Sequence, residues 1–266
     1  MGNGNNMSES FLPEMDIVTA LVIVSAVGFI PLYVGMCQQR ITRNSRQVTK
    51  IAIAGIAFGS MAFFIIDLFE GASGLGVDFG NRALPIQTGL LTSFGISIFA
   101  LTFLGATTQK GLNVNHEKIA YLFAVGIGLH GFAEGVVMGH GLSSGYGFTL
   151  AERALQTLSF MLHKGAEGLT ISIPLMFAAS RSSRPLFYSG LIGGLPLVLG
   201  TGLGIVGLSG SAASYAFAAG AGAVTYILYR IVQMSGASHL EKGFPLGILI
   251  GVLYIYFAGV IHAIEV

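Results

Sequence analysis

The sequence predicts an all-α membrane protein of eight spanning helices, on three observations. Hydrophobic residues make up 53% of the 266 positions and charged residues only 9%, against about a quarter charged in soluble domains. Mean hydropathy is +0.76. The apolar residues also fall into runs of about 20, the length that crosses a bilayer core as a helix. The 39 glycines suit the same class, because small residues let helices approach closely in lipid.

The runs cover approximately 16–38, 49–70, 86–107, 118–141, 150–179, 185–207, 212–234 and 244–264. The polar segment QQRITRNSRQVTK separates the first two, and a polar run from Asp78 to Pro85 precedes the third. QKGLNVNHEK precedes the fourth and RSSRP the sixth. Residues 1–15 read as a polar N-terminal tail and 16–266 as a single transmembrane domain. The tail lacks the basic stretch and apolar core of a signal peptide, and Asn6 breaks the myristoylation pattern.

Basic residues predict the orientation. Arg40, Arg43, Arg46 and Lys50 lie in the first loop, Lys110 and Lys118 in the third, Arg181 and Arg184 in the fifth. Arg230 and Lys242 lie in or beside the seventh, while Arg82 and Arg153 fall on the opposite side. Positive-inside bias then makes the odd loops cytoplasmic and both termini extracellular, in a plasma membrane. The remaining basic residue, Lys164, is mid-span. A net charge of +1 gives no reason to expect a nucleic-acid partner. Cys37 is the single cysteine, which excludes an internal disulfide and reads as a small packing residue.

The second span reads IAIAGIAFGSM and the seventh YAFAAGAGAV. Three spans on each side of a central pair would permit an inverted repeat, a common transporter plan. Small-residue composition alone also produces such an echo.

The central pair carries the chemistry. LHGFAEGVVMGHG places His130 and Glu134 four residues apart, and LHKGAEGLTISIP does the same for His163 and Glu167. Residues at that spacing share a helix face, and ionisable groups at membrane depth mark a ligand site or pathway. In an antiparallel pair at matched depth, His130 faces Glu167 and Glu134 faces His163. Two neutral imidazoles and two carboxylates would bind and neutralise one divalent cation. The fifth span adds a polar stripe of Glu152, Gln156, Ser159, His163, Glu167 and Thr170, read as a wetted path with Glu152 at its outer mouth. For a single Ser or Gln the plainer reading is a hydrogen bond to a neighbouring helix. Gly135 and Gly168 follow the two glutamates, and Pro174 introduces a bend.

HGFAEG followed by HKGAEG on the fourth and fifth of eight spans resembles the ZIP (Zrt/Irt-like) family of divalent-metal transporters. The resemblance extends to YAFAAGAGAVTYILY in the seventh span. It implies a 3+2+3 helix arrangement and movement of zinc, iron or manganese toward the cytoplasm, with His130, Glu134, His163 and Glu167 as transport ligands. It also implies a ligand from the second span, for which Met61 is the best match; the alternative is a pliable packing residue. Asp67 and Glu70 would gather cations at the entrance, and His140 would exchange metal at the outer end of the fourth span. Beyond the transported metal no cofactor is implied, the surroundings are lipid, and a homodimer remains open.

The chain departs from the family pattern where some members bind a second metal. Gly131, Lys164 and Gly193 stand at the positions of those ligands, so one bound metal is expected. The Lys164 ammonium is expected beside Glu134 and Glu167, in place of the missing cation. The third loop is short and holds only His116 rather than a histidine-rich run. His239 and His262 read as interfacial residues without an assigned role.

Three other readings compete. A membrane-embedded zinc hydrolase needs an open coordination position and a general base, and the sequence contains no HExxH. A retinal protein would use Lys164 as a Schiff base, but the chain has no Trp. A metal sensor that binds without transporting is not separable by sequence.

Overall fold

The computed structural model describes residues 17–74, 83–107, 109–110, 113–143, 150–178, 182–208, 210–236 and 243–262. The N-terminal tail, Asp78, Arg82, Arg181, His239 and Lys242 lie outside the described residues, as do the side chains of Asp67, Glu70, Glu152 and His262.

Eight helices account for nearly all of these residues. They are α1 (Ile17–Thr42), α2 (Gln47–Gly74), α3 (Ala83–Ala106), α4 (His116–Ser143), α5 (Leu150–Phe177), α6 (Arg184–Ile205), α7 (Gly210–Ser235) and α8 (Gly243–His262). Between α3 and α4 a two-residue antiparallel pair joins β1 (Gln109–Lys110) to β2 (Asn113–Val114). Each expected run is a helix, with ends shifted by a few residues.

Local chemistry sets several of those ends. Asn115 caps α4, its Oδ1 accepting from the Lys118 amide at 3.0 Å, and Glu117 lies in the first turn. Pro185 opens α6 at a position where its missing N–H is not needed. The same helix closes on Gly207 at φ +93°. There the Leu208 amide donates to Leu203 O and the Gly207 amide to Gly204 O, a left-handed cap that suits glycine.

Seven of the eight helices are long and apolar enough to cross a membrane. The exception is α5, because its polar stripe lowers its hydropathy. It lies among other helices instead, packed against α1, α2, α4, α6 and α8, and its residues Thr170 to Met176 are all buried. Outward-facing Phe99, Phe103, Leu246 and Tyr256 are exposed, as a lipid-facing surface requires. Arg230, assigned by sequence to the loop side of α7, is 5% exposed.

Glycines bring the site-bearing helices into backbone contact. Gly168 of α5 meets the Leu32 carbonyl of α1, and Gly35 of α1 meets the Gly165 carbonyl and the Leu169 amide of α5. On the other side, Gly135 of α4 meets the Leu197 carbonyl of α6, and Gly200 of α6 meets the Phe132 carbonyl and the Val136 amide of α4. A side chain at any of these positions would collide with main-chain atoms. Leu32 and Leu197 occupy matching places in two segments, GFIPLYVG (28–35) and GGLPLVLG (193–200).

Candidate metal centre

Close packing of α4 on its neighbours brings two carboxylates to one imidazole. His130 and Glu134 stack a turn apart on α4, with His130 Nε2 3.0 Å from Glu134 Oε1. Glu167 reaches across from α5, its Oε1 3.5 Å from the same nitrogen. The three residues each offer a ligand atom within 4.8 Å of the others, and His130 and Glu167 are buried. They are the one such group among the described residues.

Lys164 completes the cluster from within. Its Nζ donates to Glu167 Oε1 at 2.7 Å and Oε2 at 2.8 Å, and it is ion-paired with Glu134 Oε2. The side chain is buried, with its ammonium 5.2 Å from the centre of the Phe160 ring. An ammonium in an apolar interior needs such partners, and both carboxylates supply them.

Only half of the expected cross-facing occurs. His130 approaches Glu167, but Glu134 is met by Lys164 rather than by His163. The His163 Nδ1 lies 2.9 Å from Ser159 O in its own helix, and its ring sits 5.3 Å from that of Phe64. The reason is angular: His163 and Lys164 are adjacent on α5 and point about 100° apart, so one of them takes the place beside Glu134. Phe64 also stands edge-on to His130 at 4.6 Å, so its ring packs on both imidazoles. Phe217 of α7 packs on the far side of His130 at 5.9 Å.

Both ring nitrogens of His130 lack a hydrogen-bond partner. The Nε2–Oε1 approach is close but not aligned for one. A buried imidazole left in that state beside two carboxylates fits a cation ligand better than a packing residue. At metal–ligand lengths of about 2.0–2.2 Å, donors around one ion lie up to about 4.4 Å apart, so small side-chain movements would close the present triangle. Three protein donors would leave a fourth position open.

The remaining sequence-assigned residues divide by placement. Met61 is fully buried on α2, one turn before Phe64. Ser159 is buried and donates to the Ala258 carbonyl of α8 at 2.8 Å, and Thr170 donates to Ala166 O at 2.9 Å. Ser159 therefore ties α5 to α8, while Thr170 bonds back within its own helix. Gln156 is half-buried and His140 exposed near the end of α4. Asp67, Glu70 and Glu152 lie on their helices with side chains outside the described residues. Gly131 and Gly193 come together beside the ammonium: a Cβ on Gly131 would lie 3.6 Å from Lys164 Nζ and 3.7 Å from the Gly193 carbonyl.

Sequence reasoning missed two features. One is the aromatic wall of Phe64 and Phe217, whose rings have no spacing signature in apolar helices. The other is the end of α5, where Lys50 Nζ donates to Met176 O at 3.3 Å and Arg43 to Ala178 O at 3.2 Å. These cations face the helix's last carbonyls, which favour positive charge. No protein-family model matches the chain, and no curated protein sequence matches it significantly.

Proposed function

We propose that the chain carries a divalent transition metal (zinc, iron(II) or manganese) across the membrane toward the cytoplasm, as a ZIP-like transporter. The observation that carries this reading is the His130, Glu134 and Glu167 cluster, buried between helices of a strongly apolar bundle. Two carboxylates offset a dication, and a neutral imidazole adds a ligand acceptable to each of these metals. Outer acidic residues would attract the hydrated ion. The cluster would then replace its water, and helix movement would open the site inward.

In this reading α5 is the eighth spanning helix, tolerated in lipid because its neighbours cover its polar stripe. The odd loops are cytoplasmic and both termini lie outside a plasma membrane. Helix pairing supports the 3+2+3 plan with an inverted repeat. Exchanging α1 with α6, α2 with α7, α3 with α8 and α4 with α5 turns the α1–α5 contact into α6–α4. It turns α2–α8 into α7–α3, and α2–α5 into α7–α4; each of these contacts is present. The exchange also holds at single residues, since Leu32 on Gly168 becomes Leu197 on Gly135.

Three donors among the described residues give one argument to the rival hydrolase, since catalytic zinc keeps a fourth place for water. Against it, both glutamates are committed to His130 and Lys164, and among the described residues no separate carboxylate stands by as a general base. Tracer uptake into proteoliposomes, with competing cations, tests the reading. Uptake by the native chain that Glu134→Gln abolishes supports transport; metal-dependent ester or amide hydrolysis without flux would replace it.

A further inference from the structure

We propose that Lys164 is a tethered counter-ion that lets the empty site reorient, so that the carrier performs net transport rather than one-for-one exchange. The inference rests on the transport reading of the same site. Its starting point is geometric: the Lys164 ammonium touches both Glu134 and Glu167, so one fixed positive charge is shared by the two carboxylates that would bind a metal.

Charge decides what this does. With His130 neutral, as metal ligation requires, the empty cluster holds two carboxylates and one ammonium, a net charge of −1. Without the ammonium it would hold −2. The cost of keeping charge in a low-dielectric interior grows as its square, so removing Lys164 raises that cost about fourfold in the empty state. The loaded cluster behaves oppositely. A dication brings it to +1 with Lys164 present and to zero without. Lys164 therefore makes empty and loaded sites equal in magnitude of charge, and both can cross between orientations. A site of −2 when empty and zero when loaded would move only with cargo.

The position of the ammonium also follows from the fold. Under the helix exchange described above, Lys164 of HKGAEG corresponds to Gly131 of HGFAEG. A Cβ on Gly131 would lie 3.6 Å from Lys164 Nζ, with its other neighbours at 3.7 Å. There is thus room for one such side chain at the centre, reachable from either helix.

Two flux assays on one set of proteoliposomes test this. Net uptake is measured into metal-free vesicles, and exchange into vesicles preloaded with unlabelled metal. Lys164→Gln is expected to lower net uptake by about tenfold or more while exchange stays within about threefold of native. The double variant Gly131→Lys with Lys164→Gly returns an ammonium to the same place from α4 and is expected to restore net uptake. Parallel loss of both fluxes in Lys164→Gln, or unchanged net uptake, overturns the counter-ion role. Where Lys164→Gln does not fold, the double variant decides, and exchange without net uptake in it overturns the role. Exchange without net uptake in the native chain also overturns the role, whereas absence of both fluxes removes the transport reading on which it rests.

Discussion

The carbonyl of Leu32 packs directly on Gly168, the residue after one cluster glutamate, with no space for a side chain between them. The same relation ties Leu197 to Gly135, after the other glutamate. Each carboxylate is thus positioned by a backbone contact one residue away. Gly168→Ala or Gly135→Ala forces α5 from α1, or α4 from α6, and overpacking of this kind costs about 1–3 kcal/mol. Gly259→Ala is the control, since nothing lies within 4 Å of its Cβ position and helix propensity favours alanine. Thermal unfolding in detergent should show the first two variants lowered and the third unchanged or raised. Equal midpoints for all three would remove the case for close packing.

The four sequence-nominated ligands should separate on mutation. His130→Ala, Glu134→Gln and Glu167→Gln each remove a donor from the triangle and should weaken metal binding by about 10–100-fold or more, whereas His163→Ala should cost less than about tenfold. The difference follows from the packing of the His163 ring on Phe64 and from its contact with Ser159, where His130 instead meets both carboxylates. Calorimetric titration of the purified variants measures it. A His163→Ala variant as impaired as His130→Ala would place His163 in the binding site.

The fold was legible because bilayer thickness fixes span length, and every apolar run became a helix. The polar stripe of α5 was visible as a period of three to four, though Ser159 turned out to bond to α8 and Thr170 to its own helix. His130, Glu134, Glu167 and Lys164 could be nominated because ionisable residues at membrane depth are rare. The place of Lys164 beside both glutamates was legible from the cost of an unpaired ammonium at membrane depth; that it excludes His163 from Glu134 was not, since this depends on a rotation of α5 fixed by Gly168 on Leu32. The matching segments GFIPLYVG and GGLPLVLG were present in the sequence. They pass unnoticed among so many small and apolar residues until their carbonyls are seen on equivalent glycines.

Metal binding should weaken in acid. Protonation of His130 and of the two carboxylates competes directly with the ion, so affinity falls as pH drops, by up to about tenfold per pH unit for each proton displaced. Titrations between about pH 5 and 7.5 on the native chain and on His130→Gln separate the contributions. The variant should bind weakly with a flatter pH profile, having one competing proton fewer. A native affinity that stays level across that interval would sink the assignment of His130 as a ligand.

Orientation can be tested with the chain's own chemistry, because Cys37 is the single cysteine and its replacement by serine gives a thiol-free background. The positive-inside bias places the α1–α2 loop in the cytoplasm and the end of α6 outside. Asn44 is exposed in that loop, and Val206, just past α6, is 71% exposed. In intact cells a membrane-impermeant maleimide should therefore label Val206→Cys and spare Asn44→Cys. Inverted membrane vesicles should reverse the pattern. Labelling of Asn44→Cys in intact cells would turn the bundle over, and with it the inward direction of metal flow.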